Sequence, residues 1–161
     1  MSVEGPGREI QLPLRGGCLC GACRYELRAA PLMVYVCHCT DCQRQSGSAF
    51  SMSMPAPRDA LVVTQGEPAR YERTMASGRV GVIRFCGTCA TRLFTESKEA
   101  FVAVRPGTLD DTTWLVPASQ NWLNSAHRWA CLADTFSYPE NPEFAEVAQR
   151  WRAQGIRFRA P

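Results

Sequence analysis

The chain contains a single lysine, Lys98, so its positive charge comes almost entirely from arginine. Those arginines are dispersed, as Arg24, Arg44, Arg70, Arg84, Arg105 and Arg128 show, and nowhere form a dense basic run. With a net charge of only +3, this excludes the electrostatic stripe that nucleic-acid binding needs and leaves a solvated surface as the reading for the arginines. Long apolar runs are missing as well. None reaches the ~20 residues of a membrane-crossing helix, so no membrane partner is expected. The opening residues carry Gly5, Pro6, Gly7 and several charges in place of the apolar core of a leader, so a cytoplasmic location is expected. Thiols stay reduced in that compartment.

Cysteine, by contrast, is abundant, with nine residues in 161. An odd number cannot close into a complete disulfide framework, and a reduced, cysteine-rich chain points to metal. The apolar share of 45% is that of an ordinary globular protein, and the length suits one domain with its own core.

Between turn signals, short segments with strand character recur. Residues 8–14, 23–27 and 49–54 alternate polar and apolar side chains, and 32–36 is a compact apolar run. Segments 60–64, 69–74, 80–85 and 101–105 follow, separated by Gly66-Glu67-Pro68, Ser77-Gly78 and Pro106-Gly107. This spacing predicts a mainly β domain, with two sheets folded over one another. A single helical turn is expected over 41–45. A longer amphipathic helix is expected over about 142–154, with Asn141 as N-cap, Pro142 in the first position and Gly155 at the end. Phe144, Val147, Ala148 and Trp151 form its apolar stripe.

The cysteines fall into two sets. Cys86-Gly87-Thr88-Cys89 has the spacing of a zinc knuckle, and Cys18-Leu19-Cys20, set among Gly16, Gly17 and Gly21, offers two more sulfurs on a flexible loop. Together they make a closed four-thiolate structural site. Cys37-His38-Cys39-Thr40-Asp41-Cys42 gives three thiolates and no evident fourth ligand, the pattern of a catalytic zinc with an open position. His38 lies between two ligands and reads as a polar residue pointing away. Cys23 is open to three readings, a fourth ligand of the second set, an extra member of the first, or a small buried core residue, and the last is favoured. Isolated Cys131 reads as a small buried core residue. The shared spacing of 18-20-23 and 37-39-42 does not extend to the intervening residues and marks no repeat.

Gly17-Cys18-Leu19-Cys20-Gly21-Ala22-Cys23-Arg24-Tyr25-Glu26 resembles the opening motif of the glutathione-dependent formaldehyde-activating enzyme family, also named after centromere protein V. Cys37–Cys42 followed by Ser46-Gly47-Ser48-Ala49-Phe50 resembles its second motif, and Arg84-Phe85-Cys86-Gly87-Thr88-Cys89 its third. Gly107-Thr108-Leu109-Asp110-Asp111 matches a later signature. The resemblance implies a fold of the Mss4-like, or β-tent, type and two zinc ions per chain. Cys18, Cys20, Cys86 and Cys89 correspond to the structural ligands, and Cys37, Cys39 and Cys42 to the catalytic ones. A zinc domain over residues 14–135 is expected, with a lead-in and first strand over 1–13 and a C-terminal extension over 136–161. Two positions depart from the family pattern. Ala90 stands where a glycine usually follows the last cysteine, and Gln120 or Asn121 stands in place of a histidine near Pro117, although Trp129 keeps its place.

The function implied is carbon–sulfur lyase chemistry on a thiol/aldehyde adduct, such as formation of S-hydroxymethylglutathione from glutathione and formaldehyde. Because glutathione carries two carboxylates, Arg44 beside the second set is the leading substrate contact, and Arg24 a weaker one. Ser46 and Ser48 offer hydroxyl donors. A three-thiolate site with an exposed position is also open to oxidation and metal loss. The alternative is a non-catalytic zinc-stabilised binding module, in which the C-terminal helix or a β face meets a protein partner.

Overall fold

The computed structural model describes residues 9–74, 78, 80–96 and 100–160, so the expected lead-in, Ser77 and Lys98 lie outside the described residues. A mainly β fold with two helices results. The larger sheet has seven strands in the order β11-β4-β5-β10-β9-β8-β7. These are β4 (Tyr35–Cys37), β5 (Ser51–Pro57), β7 (Ala69–Thr74), β8 (Val80–Phe85), β9 (Arg92–Glu96), β10 (Phe101–Val104) and β11 (Gln120–Asn121). The smaller sheet is antiparallel, with β3 (Arg24–Leu27) between β2 (Leu14–Gly17) and β6 (Leu61–Gln65). A third, two-stranded element pairs β1 (Glu9–Gln11) with β12 (Arg157–Arg159) in parallel.

The expected alternation is visible where strands are half-covered. In β3, Tyr25 and Leu27 are buried and Arg24 and Glu26 are not, and in β10 Val102 and Val104 are the buried pair. Those inward residues meet Leu14, Met54, Ala56, Leu93 and Phe94 in one core between the two larger sheets. Tyr25 meets Phe94 edge-on across it, with ring centroids 6.4 Å apart.

Several elements differ from expectation. The expected strand over 8–14 is divided between β1 and β2, and the run 32–36 becomes strand only from Tyr35. Strands β11 and β12 have no counterpart among the expected segments. β9 falls directly after the cysteine knuckle, in a segment with no turn signal of its own. β5 starts at Ser51 and continues through Pro55 to Pro57, past the expected end at Met54. Strand β4 meets β5 only over Ser51–Ser53. Beyond it Leu32 N–H donates to Pro55 O at 2.8 Å without needing an N–H from the proline in return, so proline is tolerated there. The C-terminal helix α2 spans Phe144–Ala153, and its N-cap is Glu143 rather than Asn141, with no side-chain cap bond. Residue Phe144 stacks on Phe101 at 5.3 Å, and Val147, Ala148 and Trp151 are buried in the core, so tertiary docking sets the start of the helix. Gly155 ends the helix at φ +72°, as expected. Among the described residues, no helix is long and apolar enough to cross a membrane.

Candidate metal centres and the adjoining pockets

The turn after β2 and the knuckle after β8 bring four cysteines together. The sulfurs of Cys18, Cys20, Cys86 and Cys89 all lie within 4.8 Å of one another, with Cys18–Cys20 at 3.6 Å and Cys20–Cys86 at 3.7 Å. Zinc–sulfur bonds of about 2.3 Å in a tetrahedron require sulfur–sulfur edges of about 3.8 Å. The donor set therefore fits a zinc ion, and the spacing is far too long for a disulfide. Backbone bonds preset it. Cys18 N–H donates to Cys23 O at 3.0 Å, Cys86 N–H to Thr91 O at 2.9 Å and Ala90 N–H to Cys86 O at 2.8 Å. Two of the four thiols are also biased toward thiolate, whereas Cys20, despite the backbone bond of Ala22, is pushed up to about 12 by Cys89 and Cys18. The backbone N–H of Cys23 lies 3.2 Å from Cys18 Sγ and lowers that pKa, and the Thr91 hydroxyl, 3.2 Å from Cys89 Sγ, leads the bonds that pull Cys89 down to about 5.

The second group is built where β4 hands the chain to helix α1 (Thr40–Ser46). Cys37 is the last residue of β4, Cys39 is the N-cap of α1, and Cys42 sits in its first turn, with Cys42 N–H 3.4 Å from Cys39 Sγ. Their three sulfurs also lie within 4.8 Å of one another, and among the described residues no fourth histidine, cysteine or carboxylate joins them. Hydrogen bonds from the Cys37 and Cys42 thiols hold Cys39 as a thiolate, whereas the same sharing raises Cys37. This set fits a zinc ion with one position left over.

Several residues singled out in the sequence have other employment. The His38 ring is fully buried, meets Phe50 edge-on at 5.4 Å and stays neutral because burial lowers its pKa. Cys23 is buried behind the first group and outside its four sulfurs. Cys131, expected in the core, is exposed instead, in an irregular segment after a 3-10 turn whose packing its sequence did not reveal. Gln120 is buried and clamps the following loop, donating to Leu132 O at 2.7 Å and accepting from Leu132 N–H at 2.9 Å. Asn121 Oδ1 accepts from the Ser119 hydroxyl at 2.8 Å, and the residue sits opposite Cys37 in the sheet. The Ser46 hydroxyl donates to Cys42 O at 2.8 Å and Phe50 O at 2.9 Å, closing the end of α1. Arg24 forms a two-point ion pair with Asp110.

The arginines are not uniformly solvated, which corrects the reading from composition. Arg84 pairs with Glu96 at 2.9 Å and Arg73 with Asp41 at 2.6 Å. Arg105, on the strand side of the Pro106-Gly107 turn, runs inward, and so does Arg92 at the start of β9. Arg105 donates to Met52 O at 3.1 Å, Ser51 Oγ at 3.3 Å and Thr95 Oγ1 at 3.3 Å, and Arg92 donates to the same Thr95 Oγ1 at 3.0 Å. Arg92 Nε and Nη1 and Arg105 Nε are buried without a hydrogen-bond partner. Burial pushes both pKa values down, that of Arg92 to about 9, while the sulfur of Cys42 counteracts the fall in each. Sequence reasoning missed this pair. No local signal marked it, since Arg105 falls just past β10 and out of phase with the buried Val102 and Val104, and Arg92 opens a strand whose burial does not alternate.

Two pockets flank α1. One, of about 410 Å³, is lined by Gln45, Tyr71, Arg73, Phe85, Ala90 and Arg92. It lies between the helix and β7–β9 and contains Ala90, the residue after the knuckle, held at φ +60°. The other, of about 480 Å³, is lined by Gln43, Arg44, Ser48, Ala49, His127 and Trp129. Arg44 and Ser48 are both exposed there.

The model for the glutathione-dependent formaldehyde-activating enzyme family matches residues 13–125. No curated protein matches the chain. Among solved structures, the crystal structure of a Rhodobacter sphaeroides protein is similar with a TM-score of 0.51 and 16% identity, covering 78% of this chain and 99% of its own. At that identity the likeness speaks for the fold alone.

Proposed function

The chain belongs to the glutathione-dependent formaldehyde-activating enzyme family, and from that premise we propose that it is a zinc-dependent carbon–sulfur lyase acting on a thiol/aldehyde adduct. The observation that carries the reading is the contrast between the two cysteine groups. Four sulfurs close the first, and three sulfurs with no fourth ligand among the described residues leave the second open. In the proposed arrangement Cys18, Cys20, Cys86 and Cys89 hold a structural zinc ion, and Cys37, Cys39 and Cys42 hold a catalytic one. When bound, the catalytic zinc supplies an open position that favours the thiolate form of a substrate thiol at neutral pH.

The protein's own residues do the rest. β4 and α1 fix the three sulfurs relative to one another, and Gln43 Nε2 ties the turn to the facing loop by donating to His38 O at 2.7 Å and Ser125 O at 2.8 Å. Three thiolates weaken Lewis acidity toward a carbonyl, which favours delivery of a thiolate over polarisation of the aldehyde. In the synthetic direction the sulfur of glutathione bonds to the carbon of formaldehyde, and the carbonyl oxygen gains the proton that the thiol lost, giving S-hydroxymethylglutathione. Arg44 is the proposed contact for a substrate carboxylate, since it lines the second pocket and has no ion pair among the described residues.

The test is the rate of S-hydroxymethylglutathione formation against the uncatalysed rate, with zinc content measured on the same samples. Wild type is expected to hold about two zinc ions and to accelerate the reaction. Cys39→Ala is expected to hold one and to show no acceleration. Equal rates with wild type, Cys39→Ala and buffer would leave the zinc-stabilised binding module as the standing reading.

A further inference from the structure

Two inward arginines, Arg92 and Arg105, flank the strand that leads into the three-thiolate group, and among the described residues neither has a carboxylate partner. Arg92 and Arg105 share one neutral acceptor, Thr95 Oγ1, and the other bonds of Arg105 go to a serine hydroxyl and a backbone carbonyl. Three of their nitrogens are buried and unpaired. Among the described residues no aspartate or glutamate forms an ion pair with either, whereas nearby Arg73 has Asp41. The sheet register explains their placement. Ser51, which accepts from Arg105, is the cross-strand partner of Cys37, so the guanidinium lies beside the strand that carries the first sulfur. Arg92 lines the pocket that also contains Gln45, three residues after Cys42. Against the effect of burial, Cys42 favours the charged form of Arg92, and Cys42, Tyr35, Cys37 and Cys39 favour that of Arg105.

Formal charge then decides what the site prefers. Three thiolates around a divalent ion carry one net negative charge, and a fourth thiolate makes it two. Two uncompensated arginines match the second state rather than the first. Building on the thiol-binding reading above, we infer that Arg92 and Arg105 balance a four-thiolate centre, so that the open position selects an anionic sulfur ligand over a neutral one. Arg92 and Arg105 are positioning residues in this scheme, acting through the electrostatic field without touching the substrate. Their arrangement also orders the ligand classes. Thiolates bind best, and neutral nitrogen ligands gain nothing from the pair.

The experiment uses the full chain loaded with cobalt(II), whose visible spectrum reports a change from three to four sulfur ligands. The protein is titrated with 2-mercaptoethanol, which has no carboxylate, and separately with imidazole, a neutral ligand. Wild type is expected to bind the thiol with the spectral change of a fourth sulfur. Arg92→Met is expected to bind it about tenfold or more weakly, from the loss of one unit charge at an effective dielectric of about 20. Its imidazole affinity and cobalt content should stay near wild type, and Arg92→Lys should restore most of the thiol affinity. Equal thiol affinity in wild type and Arg92→Met overturns the inference, as does an equal loss for thiol and imidazole. Should Arg92→Met fail to fold, Arg92→Lys decides alone, since the inference requires it to keep thiol binding. A wild-type centre that accepts no thiol at all sinks the thiol-binding reading, and this inference with it.

Discussion

Replacing Cys86 by serine opens the four-sulfur group, and the resulting loss of stability can be worked from chain separation. Cys20 and Cys86 are 66 residues apart and their sulfurs are 3.7 Å apart. A metal bridging them closes a long loop in the unfolded chain. On the chain-entropy estimate for cross-links, a loop of that length contributes about 4 kcal/mol at 25 °C. That is a lower figure, because the free energy of metal binding itself adds to it. A domain of this size has about 5–15 kcal/mol in total, so the open form is marginal. For about 160 residues the loss translates into a fall in Tm of about 8–16 °C. The assay is thermal unfolding of zinc-loaded wild type, chelator-treated wild type and Cys86→Ser, with zinc content measured in each. Cys86→Ser and chelator-treated wild type should both melt below zinc-loaded wild type, the chelated protein lower still because it loses the second zinc as well. The control is Cys131→Ser, at an exposed cysteine outside both groups, which should change stability by no more than about 0.5 kcal/mol. A Cys86→Ser protein that has lost this zinc and still melts within about 2 °C of zinc-loaded wild type would refute the staple.

Other parts of the molecule yield independent expectations. Arg44→Ala should raise KM for glutathione several-fold with little change in kcat, and an unchanged KM removes Arg44 from the substrate contacts. Ala90 is held at φ +60°, where a Cβ costs roughly 1–2 kcal/mol, partly offset by the entropy that glycine gives the unfolded chain. Ala90→Gly should therefore stabilise by up to about 1 kcal/mol in denaturant titration, and a destabilised variant would contradict the strain. Glu146 accepts from Tyr138 Oη at 2.6 Å and from Arg150 at 2.9 Å, and these bonds, that of Tyr138 foremost, hold its pKa below 4.5. Between the folded and unfolded pKa values the unfolded chain binds more protons, so the contribution is complete above the unfolded value and fades as pH falls through the folded one. The Tm gap between wild type and Glu146→Gln should accordingly narrow on acidification below 4.5. A gap independent of pH would dissociate Glu146 from the anchoring of α2.

Both cysteine groups were legible before any fold was known, because metal ligation imposes short spacings that survive in sequence. Cys86-Gly87-Thr88-Cys89 and the 37-39-42 triplet are local, and only the joining of 18 and 20 to 86 and 89 needed long-range pairing. The amphipathic stripe of α2 was equally plain, since Val147, Ala148 and Trp151 repeat at helical spacing. Its first residue was not. Cap chemistry favoured Asn141, but the stacking of Phe144 on Phe101 outweighs a cap.

Thus local pattern by itself determined the mainly β class, the two cysteine groups and the family resemblance. Tertiary structure alone decided which side chains face them. Arginines that composition assigned to solvent divide into surface pairs and the inward Arg92–Arg105 couple, and Gln120 and Asn121 turn out to be committed to internal hydrogen bonds. Cys131 lies outside rather than in the core. The physical reason is range. Ligand spacing and strand alternation are set by neighbours a few residues away, whereas the burial of a charge depends on whichever strand the sheet order places beside it.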